Sequence, residues 1–196
     1  MYSGFMSKKA VALFALMTIL STSMSGCIGI PCDWTNSCEE MECGTIEIDG
    51  NWTGLPMPSF LGVDQNEQSW NLTSMQGEVW IAYFSAPWCA HCESTLDAYD
   101  QVIPEGKLLI FNKDIREEHS NMSEWKETSE EKIGRNISRP FMNAPGLSDV
   151  LGVEGIPHAF VVDENGVIVD FTLGAHTDPV ELDELYSFYA NSTISE

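Results

Sequence analysis

The stretch that most constrains this chain is Val79-Trp80-Ile81-Ala82-Tyr83-Phe84, which runs straight into Ser85-Ala86-Pro87-Trp88-Cys89-Ala90-His91-Cys92. A segment apolar on both alternating faces must be covered on both sides, so it belongs in the middle of a sheet. After the cysteines, Leu96, Tyr99 and Ile103 recur at helical spacing up to Pro104, and Lys107-Leu108-Leu109-Ile110-Phe111 reads as another strand. Strand, cysteine pair, helix and strand make a βαβ unit, which predicts an α/β fold with a central sheet flanked by helices.

Further along, Ser123 to Ile133 is a polar helix candidate, and Leu147 to Leu151 a short helical turn with an apolar face. Ala159-Phe160-Val161-Val162-Asp163 and Val167-Ile168-Val169-Asp170-Phe171 flank Glu164-Asn165-Gly166, where Asn-Gly predicts a hairpin with a type I′ turn. Asp178-Pro179-Val180-Glu181 caps a last helix with Leu182, Leu185, Tyr186 and Tyr189 on one face. From Met57 onward about 140 residues remain, enough for one domain burying roughly two-thirds of its unfolded surface.

The chemistry concentrates at Cys89 and Cys92. Unpaired N–H groups and the positive dipole end at a helix start favour thiolate over thiol, which makes Cys89 the expected nucleophile. Cys92, about one turn on, is the expected resolving thiol that displaces a bound partner from Cys89. The plainer alternatives are a permanent bridge or a metal knuckle, but neither needs an aromatic such as Trp88 directly before a C-x-x-C at a strand-to-helix turn.

The N-terminus reads as an address. Lys8 and Lys9 precede the apolar run Ala10 to Leu20, followed by small residues up to Gly26, the pattern of a signal peptide over residues 1–26. As a helix that run rises only about 16 Å, too short to cross a bilayer. Residues 27–55 form a Cys-rich acidic tether, with Asp33, Glu39, Glu40 and Glu42 and turn formers at Gly44, Asp49-Gly50 and Gly54. The six cysteines lie at 27, 32, 38, 43, 89 and 92. If Cys27 is lipidated, Cys32, Cys38 and Cys43 allow one bridge and a spare thiol; if it is free, the first four allow two bridges. Zinc held by the trio lacks the paired C-x2-C knuckle. Five N-x-S/T acceptors, at Asn51, Asn71, Asn121, Asn136 and Asn191, exceed what the composition places by chance and point outside the cytoplasm.

Nine Lys and Arg against thirty Asp and Glu give a net charge of −21, which disfavours nucleic acid and anionic headgroups as partners. No Gly-rich phosphate loop, Ser/His/Asp arrangement or H-E-x-x-H is present, so hydrolase and nucleotide chemistry have no support.

Trp88-Cys89-Ala90-His91-Cys92 after a buried strand resembles the active-site W-C-x-x-C of the thioredoxin superfamily, and the chain over roughly residues 56–190, within a domain read as 56–196, resembles its membrane-tethered TlpA/ResA-like branch. Met57-Pro58-Ser59-Phe60 with Asp64, then Leu72 through Val79, is similar to that branch's P-x-F hairpin, which implies an N-terminal β-hairpin extension. Gly152-Val153-Glu154-Gly155-Ile156-Pro157 is similar to its cis-proline loop. The resemblance implies that Pro157 is cis, that Ile156 and Pro157 form the substrate platform, and that the sheet is mixed. Met24-Ser25-Gly26-Cys27 resembles a lipobox, with Met24 where Leu is usual, which implies lipidation of Cys27.

Two positions depart from the pattern. Tyr83 stands six residues before Cys89, where thioredoxins carry a buried acid, and Thr95 stands where the ResA-like branch carries Glu. The usual proton acceptor for the resolving thiol is therefore missing; Glu93 adjoins Cys92, but a neighbouring helical position points a side chain elsewhere. His91 inside the C-x-x-C favours the Cys89 thiolate and hence an easily reduced disulfide, whereas the tethered branch consists mostly of reductases.

The resemblance implies a thiol-disulfide oxidoreductase on the outer face of the cytoplasmic membrane, lipid-anchored or secreted, with a slight lean toward reductase. It needs no cofactor and no metal; its partners are the thiols and disulfides of exported proteins and a membrane electron donor or acceptor. Two rivals stand beside it: a Cu(I)-handling module using Cys89, Cys92 and His158, since soft thiolates select that ion, and a surface binding domain that keeps the fold without the chemistry. A peroxiredoxin would need Thr where Ala86 stands. His119 and His176 are expected in loops, His158 as loop packing or a contact to substrate or metal, and Trp125 as a core or surface anchor rather than a cofactor partner.

Overall fold

A computed structural model describes residues 52–192. Its central element, β3 (Trp80–Ser85), is buried along its whole length. It pairs in parallel with β4 (Leu108–Asn112), which pairs in parallel with β5 (Phe141–Asn143). On its other side β3 pairs antiparallel with β6 (His158–Val162), and β6 with β7 (Ile168–Leu173). The order β5-β4-β3-β6-β7 is a five-stranded mixed sheet with the doubly apolar strand at its centre.

Alternation along β3 divides the core between the two faces. Ile81 and Tyr83 point to one face, where they meet α2 (Cys92–Val102), α3 (Met122–Ile133) and α5 (Pro179–Ser192) through Leu96, Tyr99, Trp125 and Leu182. Trp80, Ala82 and Phe84 point to the other, against Trp52, Met57, Met75 of α1 (Leu72–Met75) and Leu147 of α4 (Pro145–Val150). Trp125 stands edge-on to Phe141 at 4.9 Å, as a core anchor. Asp178 Oδ1 accepts the Val180 N–H at the start of α5.

The N-terminal extension is a two-stranded antiparallel sheet, β1 (Leu61–Val63) with β2 (Ser69–Asn71). Asp64 organises its turn, accepting from the N–H groups of Asn66 and Gln68 and from Trp70 Nε1. A bridge from Asp64 to Met142 ties the hairpin to β5, and Gly62 packs closely there, since a Cβ would lie 2.7 Å from Met142 Sδ and would displace that side chain.

Two expectations need correction. Residues 52–55, assigned above to the tether, belong to the folded domain: Trp52 is buried in the core, Gly54 N–H donates to Ile168 O, and Ile168 N–H donates to Leu55 O. The β6–β7 turn is not type I′, which needs positive φ at both central residues. Glu67 is the only non-glycine with positive φ among the described residues, so Asn165 is excluded. Instead Asp163 Oδ1 accepts from Asn165 and Val167 N–H, Gly166 N–H closes on Asp163 O, and Gly166 alone takes φ +82°. That is a three-residue loop with a bulge, set by the aspartate ahead of it rather than by the Asn-Gly pair. The segment 1–26, Cys27, Cys32, Cys38, Cys43 and Asn51 lie outside the described residues.

Candidate functional site

The C-terminal end of β3 delivers the chain into the turn that carries the cysteines. Cys89 N–H donates to Ala86 O and Cys92 N–H to Cys89 O, so the turn is closed locally, and α2 starts at Cys92 with His91 as its N-cap. Cys89 thus stands in the turn ahead of the helix rather than in its first residue. The two sulfurs form a disulfide with Cα atoms 5.4 Å apart; Cys89 is 7% exposed and Cys92 2%. The cysteine nearer solvent is the one expected to attack, and the deeper one the one expected to resolve.

Trp88 is 58% exposed beside Cys89, and its Nε1–H donates to Asp114 Oδ2 at 2.6 Å. Asp114 lies just beyond β4, and Asn112 shapes its loop by accepting the Asp114 N–H and donating to the Asp114 carbonyl. Hydrogen bonds from the Arg116 side chain and N–H, with a smaller one from Trp88, hold the Asp114 carboxyl well below the usual carboxylate range. His91 is exposed and makes no side-chain cap hydrogen bond.

The Ile156–Pro157 peptide bond is cis, as the resemblance implied. The register that sets Phe84 opposite His158 carries Pro157 to the end of β3, where the cysteine turn begins. Lys113 pins the loop from below, its Nζ donating to Val153 O and, at 2.9 Å, to Glu154 O. Pro157 is buried and Ile156 half-buried against the core.

His158 stacks on Phe160 at 4.4 Å, and neither ring nitrogen has a hydrogen-bond partner. Burial, with a smaller push from Lys113, lowers its pKa to about 4, so the ring is neutral at physiological pH. Among the described residues no three His, Cys, Asp or Glu side chains gather as a metal site, so His158 does not complete one with the two cysteines.

Beneath the pair, Tyr83 fills the place of the missing acid. Its hydroxyl donates to Cys92 O at 2.8 Å, and burial raises its pKa well above the ordinary phenol value. It is a donor there and not a proton acceptor. Thr95 is buried with its hydroxyl unpartnered, and Glu93 is buried with its carboxylate on Lys132 of α3. Asp114, Lys113 and Lys132 escaped the reading of the sequence; an acid and a lysine directly after an apolar strand were the available signal for the first two.

Fold and site together define a thioredoxin-fold protein with a disulfide at its strand-to-helix turn and a cis-proline loop at the end of the same strand. In sequence the chain is 24% identical over 144 residues to the thiol:disulfide interchange protein DsbE of Pseudomonas fluorescens biotype C, across 73% of this chain and 79% of that protein. Its fold is similar to a thiol:disulfide interchange protein of the thioredoxin family from Chlorobium tepidum (TM-score 0.57, 24% identity, 73% of this chain and 99% of that one). It is also similar to the exposed lipoprotein thioredoxin of Streptococcus pneumoniae (TM-score 0.53, 17% identity, 67% and 99%). No family model matches the chain.

Proposed function

We propose that this protein is a thiol-disulfide oxidoreductase that exchanges disulfides with exported client proteins. The observation that carries the reading is the graded burial of one disulfide, Cys89 toward solvent and Cys92 behind it, at the turn where β3 meets the cis-Pro157 loop. In the reduced protein the Cys89 thiolate attacks a client disulfide, forming a mixed disulfide and releasing one client thiol. Cys92 then attacks Cys89, closing the internal disulfide and releasing the second client thiol. Two electrons pass to the client, and a dithiol donor must return them. The reductase direction is favoured by the branch it resembles; the sequence relative named for thiol:disulfide interchange supports the exchange itself and not its direction.

Ile156 and Pro157 offer the client the backbone of the cis-proline loop beside the cysteine turn, and exposed Trp88 offers it an aromatic face. An outward location, with Cys27 as lipid anchor, follows from the signal-like N-terminus; among the described residues no helix is long and apolar enough to cross a membrane.

Trapping tests the reading. Full-length Cys92→Ser protein, reduced and mixed with insulin, should accumulate a mixed disulfide through Cys89 on non-reducing gels, while Cys89→Ser should form none. Absence of any trapped species, with no turnover by the wild type, would leave the surface binding domain; a dithiol that instead binds Cu(I) tightly would favour the copper module.

A further inference from the structure

Of the N-x-S/T acceptors, Asn71-Leu72-Thr73, Asn121-Met122-Ser123 and Asn136-Ile137-Ser138 lie wholly within the described residues, and the fold treats them differently. Asn71 is the N-cap of α1, its Oδ1 accepting the Ser74 N–H, and Thr73 lies inside that helix. Asn121 is the half-buried N-cap of α3; its Nδ2 donates to Glu117 Oε2 at 2.8 Å, and Ser123 in the first turn donates to Gln65 O. In both, the amide is already committed and the hydroxyl residue sits in a helix, where positions two apart do not face each other. Asn136-Ile137-Ser138 instead lies in the irregular segment between α3 and β5, after the left-handed cap at Gly134 has ended the helix. Ile137 is fully buried and its N–H donates to Glu130 Oε1, while Asn136 and Ser138 on either side of it are exposed and Arg139 is buried again. That alternation is the period of extended backbone, which sets Asn136 and Ser138 on the same outward face. Neither side chain is held by a hydrogen bond among the described residues.

We infer that Asn136 carries an N-linked oligosaccharide and that Asn71 and Asn121 do not. The inference rests on the outward location proposed above, since such acceptors are used on the surface of exported chains. The co-reactant is an oligosaccharide linked to a polyprenyl phosphate, brought by a membrane transferase. Asn136 Nδ2 forms a bond to the anomeric carbon of the first sugar, the bond from that carbon to the lipid phosphate oxygen breaks with its electron pair left on the phosphate, and one amide proton passes to a base. Nothing is oxidised or reduced. At Asn136 the new bond displaces no hydrogen bond; at Asn121 it would cost the one to Glu117 in a half-buried place, and at Asn71 it would crowd the cap of α1. The position also suits the chemistry of the cysteine pair. Because β3, β4 and β5 are parallel, the segment that enters β5 lies at the end of the sheet opposite the turn that leaves β3. Arg139, next to Ser138, donates to the carbonyls of Asp100 and Ile103 that close α2, whereas Cys92 opens that helix. A glycan on Asn136 therefore leaves the approach of a client to Cys89 open.

The test is peptide mass measurement on the full-length protein isolated from the cells that make it. Cleavage after glutamate puts these acceptors on separate peptides, 68–78 with Asn71, 119–124 with Asn121 and 132–154 with Asn136. The expected result is an added glycan mass on 132–154 and none on the other two. Made in the same cells, Asn136→Gln and Ser138→Ala should lose that mass, and Ser138→Thr, which keeps the hydroxyl, should retain it; both positions are exposed, so the fold has no part in the difference. A mass that survives in Ser138→Ala, or that falls on 68–78 or 119–124 with 132–154 bare, would overturn the inference. An exported chain, shortened at its N-terminus, with a bare 132–154 peptide would overturn it while leaving the outward location standing. A chain that keeps its first 26 residues and stays inside the cell would overturn both.

Discussion

The indole of Trp88 is fixed by the carboxylate of Asp114, Nε1 to Oδ2 at 2.6 Å, across 26 positions of sequence. An exposed aromatic with its polar tip already bound is a preorganised contact, because the client does not have to order it.

Asp114→Asn keeps the shape and removes the charge that Arg116 and Trp88 both use. The expected result is a KM for a protein disulfide raised about threefold to tenfold with kcat little changed, up to about 1.4 kcal/mol of binding. Because the folded-state carboxyl lies below its unfolded value, its stabilisation is fully present above about pH 4 and fades as pH falls toward the lowered value. Urea midpoints of wild type and variant should therefore differ at pH 7 and draw together below pH 4.

His158 predicts a second acid dependence with its own window. The buried ring binds its proton only near pH 4, whereas in the unfolded chain it does so near about 6.5. The unfolded state therefore takes up more protons between those values, and stability falls as pH drops through them. His158→Phe, which keeps an aromatic on Phe160, should flatten that part of the stability profile between pH 7 and pH 4. An unchanged slope in urea titrations across this range would count against burial of a neutral ring.

Arg139 predicts the largest loss of stability. Its side chain is 7% exposed, pairs with the equally buried Asp100, and donates to the carbonyls of Asp100, Ile103 and Pro104 at the end of α2. Arg139→Met leaves those carbonyls and part of a carboxylate charge without donors, at a cost of about 3 kcal/mol or more. Arg135, more exposed and bound to the same Asp100, should cost less when replaced by Met. Urea denaturation of the two variants measures the order.

The elements that could be read along the chain are those whose cause is local. Six apolar residues with no polar face demand a covered central strand, and β3 is the middle of the sheet. The cysteine turn and the helix behind it likewise rest on short contiguous patterns, and the cis-proline loop was implied by the family resemblance. Local statistics misled at Asn165-Gly166, because a side chain one position ahead of that loop, Asp163, took the N–H groups that decide the turn. They misled again at Trp52, which looks like part of a tether until β7 supplies the strand edge beside it.

The sequence by itself therefore determined the class of fold and the cysteine pair, since strand burial and C-x-x-C spacing are written in neighbouring residues, while the cis-proline loop was implied by the resemblance of the G-I-P step to a known family. Only the tertiary structure decided how the residues flanking the cysteine pair are partnered. Glu93 finds Lys132 across 39 positions, and Trp88 finds Asp114 across 26. An isolated Glu or Asp in the chain is by default a solvated group. It becomes a buried, paired group only when another helix or loop closes over it, and that closure is decided by packing over the whole domain.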